Sequence, residues 1–182
     1  MSTIWFCSDL HFGHNKPFLY EPRGFSNIYE HDETIIKNWN KLVTYDDDVY
    51  LLGDVMLNDD VHGLKCLKSL HGQIHLILGN HDSNNRIELY DTCFNIVEIC
   101  AGKFLKVGKQ RFYLSHYPTL TSNYDENKPL KSRVINLCGH SHTKDKFADF
   151  DKGVIYHVEL DAHDNKPVSI DTILKDIQGK YN

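Results

Sequence analysis

The sequence predicts an α/β (α+β) protein with two mixed β-sheets packed face to face and helices on the outside. Three observations lead there. Short apolar runs close on Gly, Asp or His; helical periodicities separate the first three runs; and Gly-Lys pairs punctuate the runs of the second half. Buried strands read as such bounded apolar runs, and turn residues end them.

The elements follow in order. Residues 3–7 form the first strand, which ends at Asp9. Residues 12–29 carry Pro17, Pro22 and Gly24 and read as an ordered loop. A helix is expected over 30–43, with Ile35, Trp39 and Leu42 on one face. Asp46, Asp47 and Asp48 read as a solvated turn before a second strand at 49–52. Leu64, Leu67 and Leu70 give a second helix over 61–70, stopped by His71-Gly72. The third strand is 74–78. Strand, helix, strand at this spacing implies parallel pairing with right-handed crossovers.

The second half changes character. Residues 97–101, 104–107 and 111–115 read as antiparallel strands joined by turns at Gly102-Lys103 and Gly108-Lys109. A loop over 117–133 precedes a strand at 134–138. Another strand is expected at 154–160 and a final helix at 169–177. The 182 residues suit one domain over 1–182, in which the loops 12–29 and 117–133 shape the substrate pocket.

Composition narrows the function. Hydrophobic content of 41% and charged content of 25% are those of a soluble globular chain. A net charge of -5 argues against stable, sequence-independent nucleic-acid binding, which needs a basic surface. No run reaches the length of a membrane span, so no membrane partner is expected. Five cysteines, none in a C-x-x-C pair, read as reduced residues of a cytoplasmic protein.

The site is read from five strand ends: Asp9-Leu10-His11, Gly53-Asp54, Gly79-Asn80-His81-Asp82, Ser115-His116 and Gly139-His140-Ser141-His142. Ligands of open α/β sheets gather beyond the carboxyl ends of strands. Alternate residues of a strand share a side, so Asp9 and His11 can reach one cation. The same spacing recurs at His140 and His142, where Gly139 allows a sharp turn. Asp9, His11, Asp54, Asn80, His116, His140 and His142 are too many for one tetrahedral zinc. They suit two divalent cations sharing a carboxylate, and mixed O and N donors favour Mn, Fe, Ni or Zn. If Asn80 is a ligand, His81 points elsewhere, over the reacting centre, where an imidazole can protonate a leaving alkoxide. Asp82 is placed as the acceptor that orients an imidazole. His14, Asn15, Arg23 and Tyr117 are candidate substrate contacts, Arg23 as a bidentate phosphate clamp. The remaining histidines, among them His31 and His62, are read as surface or packed residues.

These five blocks, in this order, resemble the calcineurin-like metallophosphoesterases, and Ser8-Asp9-Leu10-His11-Phe12-Gly13-His14 is similar to their small bacterial and phage branch. The resemblance implies a four-layer αββα sandwich. It implies one cation held by Asp9, His11, Asp54 and His142, and another by Asp54, Asn80, His116 and His140. It makes His81 the catalytic histidine. The implied activity is hydrolysis of a small phosphate ester by in-line attack of a metal-bridging hydroxide. A phosphodiester, cyclic or nucleotide-derived, is favoured over a monoester. A nuclease and a catalytically weak scaffold are the alternatives.

Overall fold

The structure is a computed structural model and describes residues 2–121, 129, 132–148 and 154–181. Lys131 and most of the loop expected at 117–133 lie outside the described residues.

The first sheet has the strand order β4-β3-β2-β1-β9. Strands β1 (Ile4–Cys7), β2 (Asp48–Leu51), β3 (Gln73–Ile77) and β4 (Ile96–Cys100) run parallel, and the short β9 (Val168–Ser169) is antiparallel to β1. The second sheet is ordered β5-β6-β7-β8. Here β5 (Lys103–Val107) and β6 (Gln110–Leu114) form an antiparallel pair, while β6, β7 (Val134–Cys138) and β8 (Ile155–His157) are parallel. Both sheets are mixed and helices flank them, as expected.

Strand alternation sorts the apolar side chains into two cores. Phe6, Tyr50, Leu52 and Ile77 of the first sheet join Phe112, Leu114, Ile135, Leu137 and Tyr156 of the second. Cys7, Val49, Leu51, Ile74 and Leu76 point the other way and meet Ile35, Trp39 and Leu67 of the covering helices. Those helices are α2 (Ile28–Leu42), α3 (Asp60–Lys68) and α4 (Asn84–Tyr90); a four-residue turn, α1 (Pro17–Tyr20), precedes them. Large apolar side chains sealed in this way each contribute about 1.5–3 kcal/mol by leaving water. Trp39 also has its indole N–H satisfied, donating to the His71 carbonyl at 2.9 Å. The last helix, α5 (Ile170–Tyr181), packs Ile170, Ile173 and Ile177 into the inter-sheet core.

Four expectations need correction. Residues 96–100 do not form a hairpin with the next strand; β4 is the edge of the first sheet, because Ile96 and Ile99 pack on the helix-side core. The chain then crosses to the second sheet around Gly102. The loop 12–29 contains α1 and the start of α2. The strand expected at 154–160 ends at His157 and gives way to a 3-10 turn at Leu160–Ala162. Asp47 is not solvated: it is buried and accepts from the backbone N–H groups of Thr3 and Thr44 at 2.6 and 2.8 Å. No helix among the described residues is long and apolar enough to cross a membrane, and all five cysteines are unpaired.

Candidate metal centre

The carboxyl ends of β1, β2, β3, β6 and β7 meet at one edge of the sandwich. The parallel ladder of β1 and β2 continues past the strands, with Asp9 N donating to Gly53 O and His11 N to Asp54 O, both at 3.0 Å. The backbone there is unusual. Of eight non-glycine residues with positive φ among the described residues, five are Asp9, His11, Asp54, His140 and His142. Asp and His tolerate the left-handed region better than most residues, but each such position still costs about 1–3 kcal/mol. Asp9 and His11 therefore reach the same side through left-handed backbone beyond the strand, rather than through strand alternation.

Glycines make room for the carboxylates. A Cβ on Gly79 would collide with Asp54 Oδ1, and one on Gly139 would collide with Asp9 Oδ2 and Ser8 Oγ. Gly139 is needed for this close approach; the sharp turn expected there is taken by His140, at φ 73°. On Gly53, whose φ is +86°, a Cβ would lie 2.5 Å from Gly79 N.

Two groups of donors result. Asp9, His11 and His142 converge in one, and Asp54, His116 and His140 in the other. Asn80 joins the second, its Oδ1 lying 3.0 Å from His116 Nε2. One oxygen stands between them: Asp54 Oδ2 is 3.7 Å from His11 Nε2 and 3.4 Å from His116 Nε2. His11 Nε2 and His142 Nε2 face each other at 3.1 Å.

The electrostatics suit cations. Asp9 is fully buried, its Oδ1 has no hydrogen-bond partner, and burial pushes its carboxyl up to about 6. An added positive charge would relieve that burial. Burial also opposes charge on Asp54, but His116 and the His81 N–H hold it down at about 2. Burial disfavours a charged His116 too; its hydrogen bond to Asp54 outweighs this and raises it to about 9. His11 is held well below its ordinary value, chiefly by burial.

The sequence model of the calcineurin-like phosphoesterase superfamily domain matches residues 3–158. The chain belongs to that superfamily. It is 33% identical over 183 residues to an uncharacterized protein of Methanocaldococcus jannaschii, covering 98% of this chain and 93% of that one. It is 31% identical over 165 residues to the gene 66 protein of Mycobacterium phage L5, covering 79% of each. A crystal structure of a protein of unknown function from Aquifex aeolicus, AQ665, superposes with a TM-score of 0.70 at 24% identity, over 96% of this chain and 99% of that one. That last likeness is one of fold. As a member of the superfamily, this phosphoesterase is metal-dependent, and the unpartnered Asp9 Oδ1 and the converging imidazoles fit divalent cations.

The remaining candidates of this phosphoesterase separate. His81 is at the mouth of the site, partly exposed, its Nε2 3.9 Å from Asp54 Oδ2. His14 stands beside His11, with ring centroids 5.4 Å apart. Tyr117 is half-exposed and packs its ring on His140 and His116. Three expectations fail. Asp82 orients no imidazole; its oxygens accept from the N–H groups of Asp54, Val55 and Gly79 and from Tyr90 Oη, at 2.8–3.2 Å. It clamps two site loops together. Arg23 is buried and committed to Asp161, the Asp9 carbonyl, His31 and His142, which leaves no clamp for phosphate. Asn15 is exposed and lines a separate cavity with Tyr29 and His62.

The sequence reading missed three residues. Asp161 Oδ2 lies 3.2 Å from His142 Nδ1 and receives Arg23 Nη2 at 2.7 Å. His31 links Arg23 to Asp32. Arg86 holds the His81 carbonyl at 2.6 Å while paired to Asp60. Nothing in the sequence joins Asp161 to His142, 19 positions earlier.

Proposed function

We propose that this chain hydrolyses a phosphodiester at a two-cation centre. Asp9, His11, Asp54 and His142 hold one cation, and Asp54, Asn80, His116 and His140 the other. The observation that carries this reading is the position of Asp54 Oδ2 between the two imidazole groups. Two bound divalent cations supply water activated near neutral pH and offset charge on phosphoryl oxygens. Mn, Fe, Ni and Zn all accept this donor set.

The chain's own residues do the rest. Hydrolysis joins a water oxygen to phosphorus and breaks the ester P–O bond. The departing alkoxide takes a proton, and in this reading His81, which lines the cavity at the rim of the centre, gives it. The Asp82 carboxylate ties the Gly79 turn to the Asp54 turn and so braces the loop that carries His81. Among the described residues no Lys or Arg lines the cavity beside the centre, which supports a monoanionic diester over a dianionic monoester. The five unpaired cysteines support a reducing, cytoplasmic setting.

His81→Ala is expected to retain its cations and lose at least about a hundredfold in turnover, the usual size of an acid–base contribution. Metal analysis beside the hydrolysis of bis-para-nitrophenyl phosphate reads both. Unchanged turnover on an ester with a poor leaving group defeats the role of His81. Faster turnover of para-nitrophenyl phosphate than of the diester would replace the diester reading with a monoesterase.

A further inference from the structure

A cavity of about 510 Å3 opens directly from the candidate centre. His11, His81 and His142 give it polar lining, and Phe18, Pro22 and Leu57 give it apolar lining. Its size is that of a small-molecule site. We propose that this cavity binds a flat, uncharged aromatic ring carried by the phosphodiester as one of its ester groups. The proposal rests on the phosphodiesterase reading, because it supposes that the phosphate lies at the imidazole rim.

Continuity decides what the occupant is part of. A group in this cavity touches the same imidazoles as the phosphate, so it is bonded to that phosphate. Charge decides its polarity. Among the described residues no Lys or Arg lines the cavity, and the one carboxylate that does, Asp161, is paired with Arg23. A second phosphate or carboxylate would be desolvated there with no partner, which is costly.

Shape decides its class. Phe18 is 71% exposed, although its neighbours Leu19 and Tyr20 are buried with Ile28. The chain thus anchors α1 on both following residues and leaves a phenyl ring in solvent at the edge of the site. Pro17 opens that turn and fixes its backbone. The Phe18 ring is held edge-on to His14, with centroids 5.6 Å apart. A rigid ring presented this way offers a face for stacking, and aromatic pairs gain beyond their buried area. Leu57, from the loop after β2, supplies the other apolar surface.

The test uses binding, so it does not depend on turnover. The probes are the monomethyl esters of phenyl-, cyclohexyl- and methylphosphonic acid, all monoanions, titrated calorimetrically into the metal-loaded full chain. The phenyl ester is expected to bind at least tenfold more tightly than the methyl ester and more tightly than the cyclohexyl ester. Phe18→Ala, a change at an exposed ring that leaves the core intact, is expected to bring phenyl within about threefold of methyl. Phe18→Trp is expected to keep the preference. Equal binding of phenyl and methyl, or tighter binding of cyclohexyl, overturns the aromatic class. An unchanged ratio in Phe18→Ala overturns the role of that ring. Preferential phenyl binding with no diester hydrolysed sinks the phosphodiesterase reading and leaves the ring site standing; diester hydrolysis without ring preference does the reverse.

Discussion

Arg23 is nearly sealed from solvent, and all three guanidinium nitrogens have partners. It grips Asp161 through two nitrogens and reaches the Asp9 carbonyl at 2.9 Å. Asp161 in turn faces the ring nitrogen of His142 that points away from Asp9. One ion pair therefore fixes the backbone of one proposed ligand and the ring of another, both in the same group of donors. A carboxylate behind a ligating imidazole sets its tautomer and orientation, and losing it costs about 10–100-fold in metal affinity. Asp161→Asn is thus expected to weaken one of two cations by that factor and spare the other. Calorimetric metal titration resolves the two sites; two unchanged affinities would remove Asp161 from this role. This pair also marks the limit of what the residues disclose in one dimension. Asp9, Asp54, Asn80, His116, His140 and His142 were legible because each follows a strand, and strand ends have a common destination. Arg23 and Asp161 are 138 positions apart and belong to no such pattern. A buried Arg and a phosphate-clamping Arg look alike until the packing around them is known.

Helix α2 shows how an element supports that network. Asn27 caps it, its side chain accepting from Glu30 N at 3.0 Å, and Glu30 returns a bond to Ser26 N. The first turn so fixed carries His31 and Asp32. His31 meets Arg23 at 3.0 Å, and Asp32 receives Gly13 N at 2.9 Å. Asn27→Ala is expected to cost about 1 kcal/mol, which for a chain of this size lowers Tm by about 2–4 °C. Thermal denaturation of the purified variant measures it, and no shift would mean that packing alone sets the start of α2. Periodicity located α2 and α3 to within two residues, since both bury a regular apolar stripe. It missed α4, where the sequence Asn84–Tyr90 offers little more than Ile87, Leu89 and Tyr90. It also missed β9, whose two residues are defined by pairing with β1 and by nothing local.

At the scale of the molecule, two carboxylates fasten the chain ends to the sandwich, and both impose a pH dependence. Burial opposes the charge of Asp47, but the N–H groups of Thr3 and Thr44 outweigh it and hold the carboxyl below its ordinary range. Asp176 is likewise depressed: burial is overcome by Lys146 and by the Tyr156 hydroxyl, which donates at 2.7 Å. Asp47 ties β1 to the turn before β2, and Asp176 ties α5 to β8. A carboxyl depressed in the folded state binds its proton more weakly there than in the unfolded chain. Its stabilisation is then complete above the unfolded value near pH 4 and disappears as pH falls through the lower folded value. Asp47→Asn is therefore expected to lose about 1–2 kcal/mol at pH 7, where a charge-assisted bond is replaced by a neutral one. The gap to the native chain should begin to narrow as pH falls below the unfolded value near 4 and keep narrowing as the folded carboxyl is protonated. Urea denaturation of metal-free protein between pH 7 and about pH 2 follows the difference. A gap that stays constant over that range would show that Asp47 acts through its shape and not its charge. The site edge depends on this fastening, because β1 delivers Asp9 and His11 while β6 and β7 deliver His116, His140 and His142 from the opposite sheet.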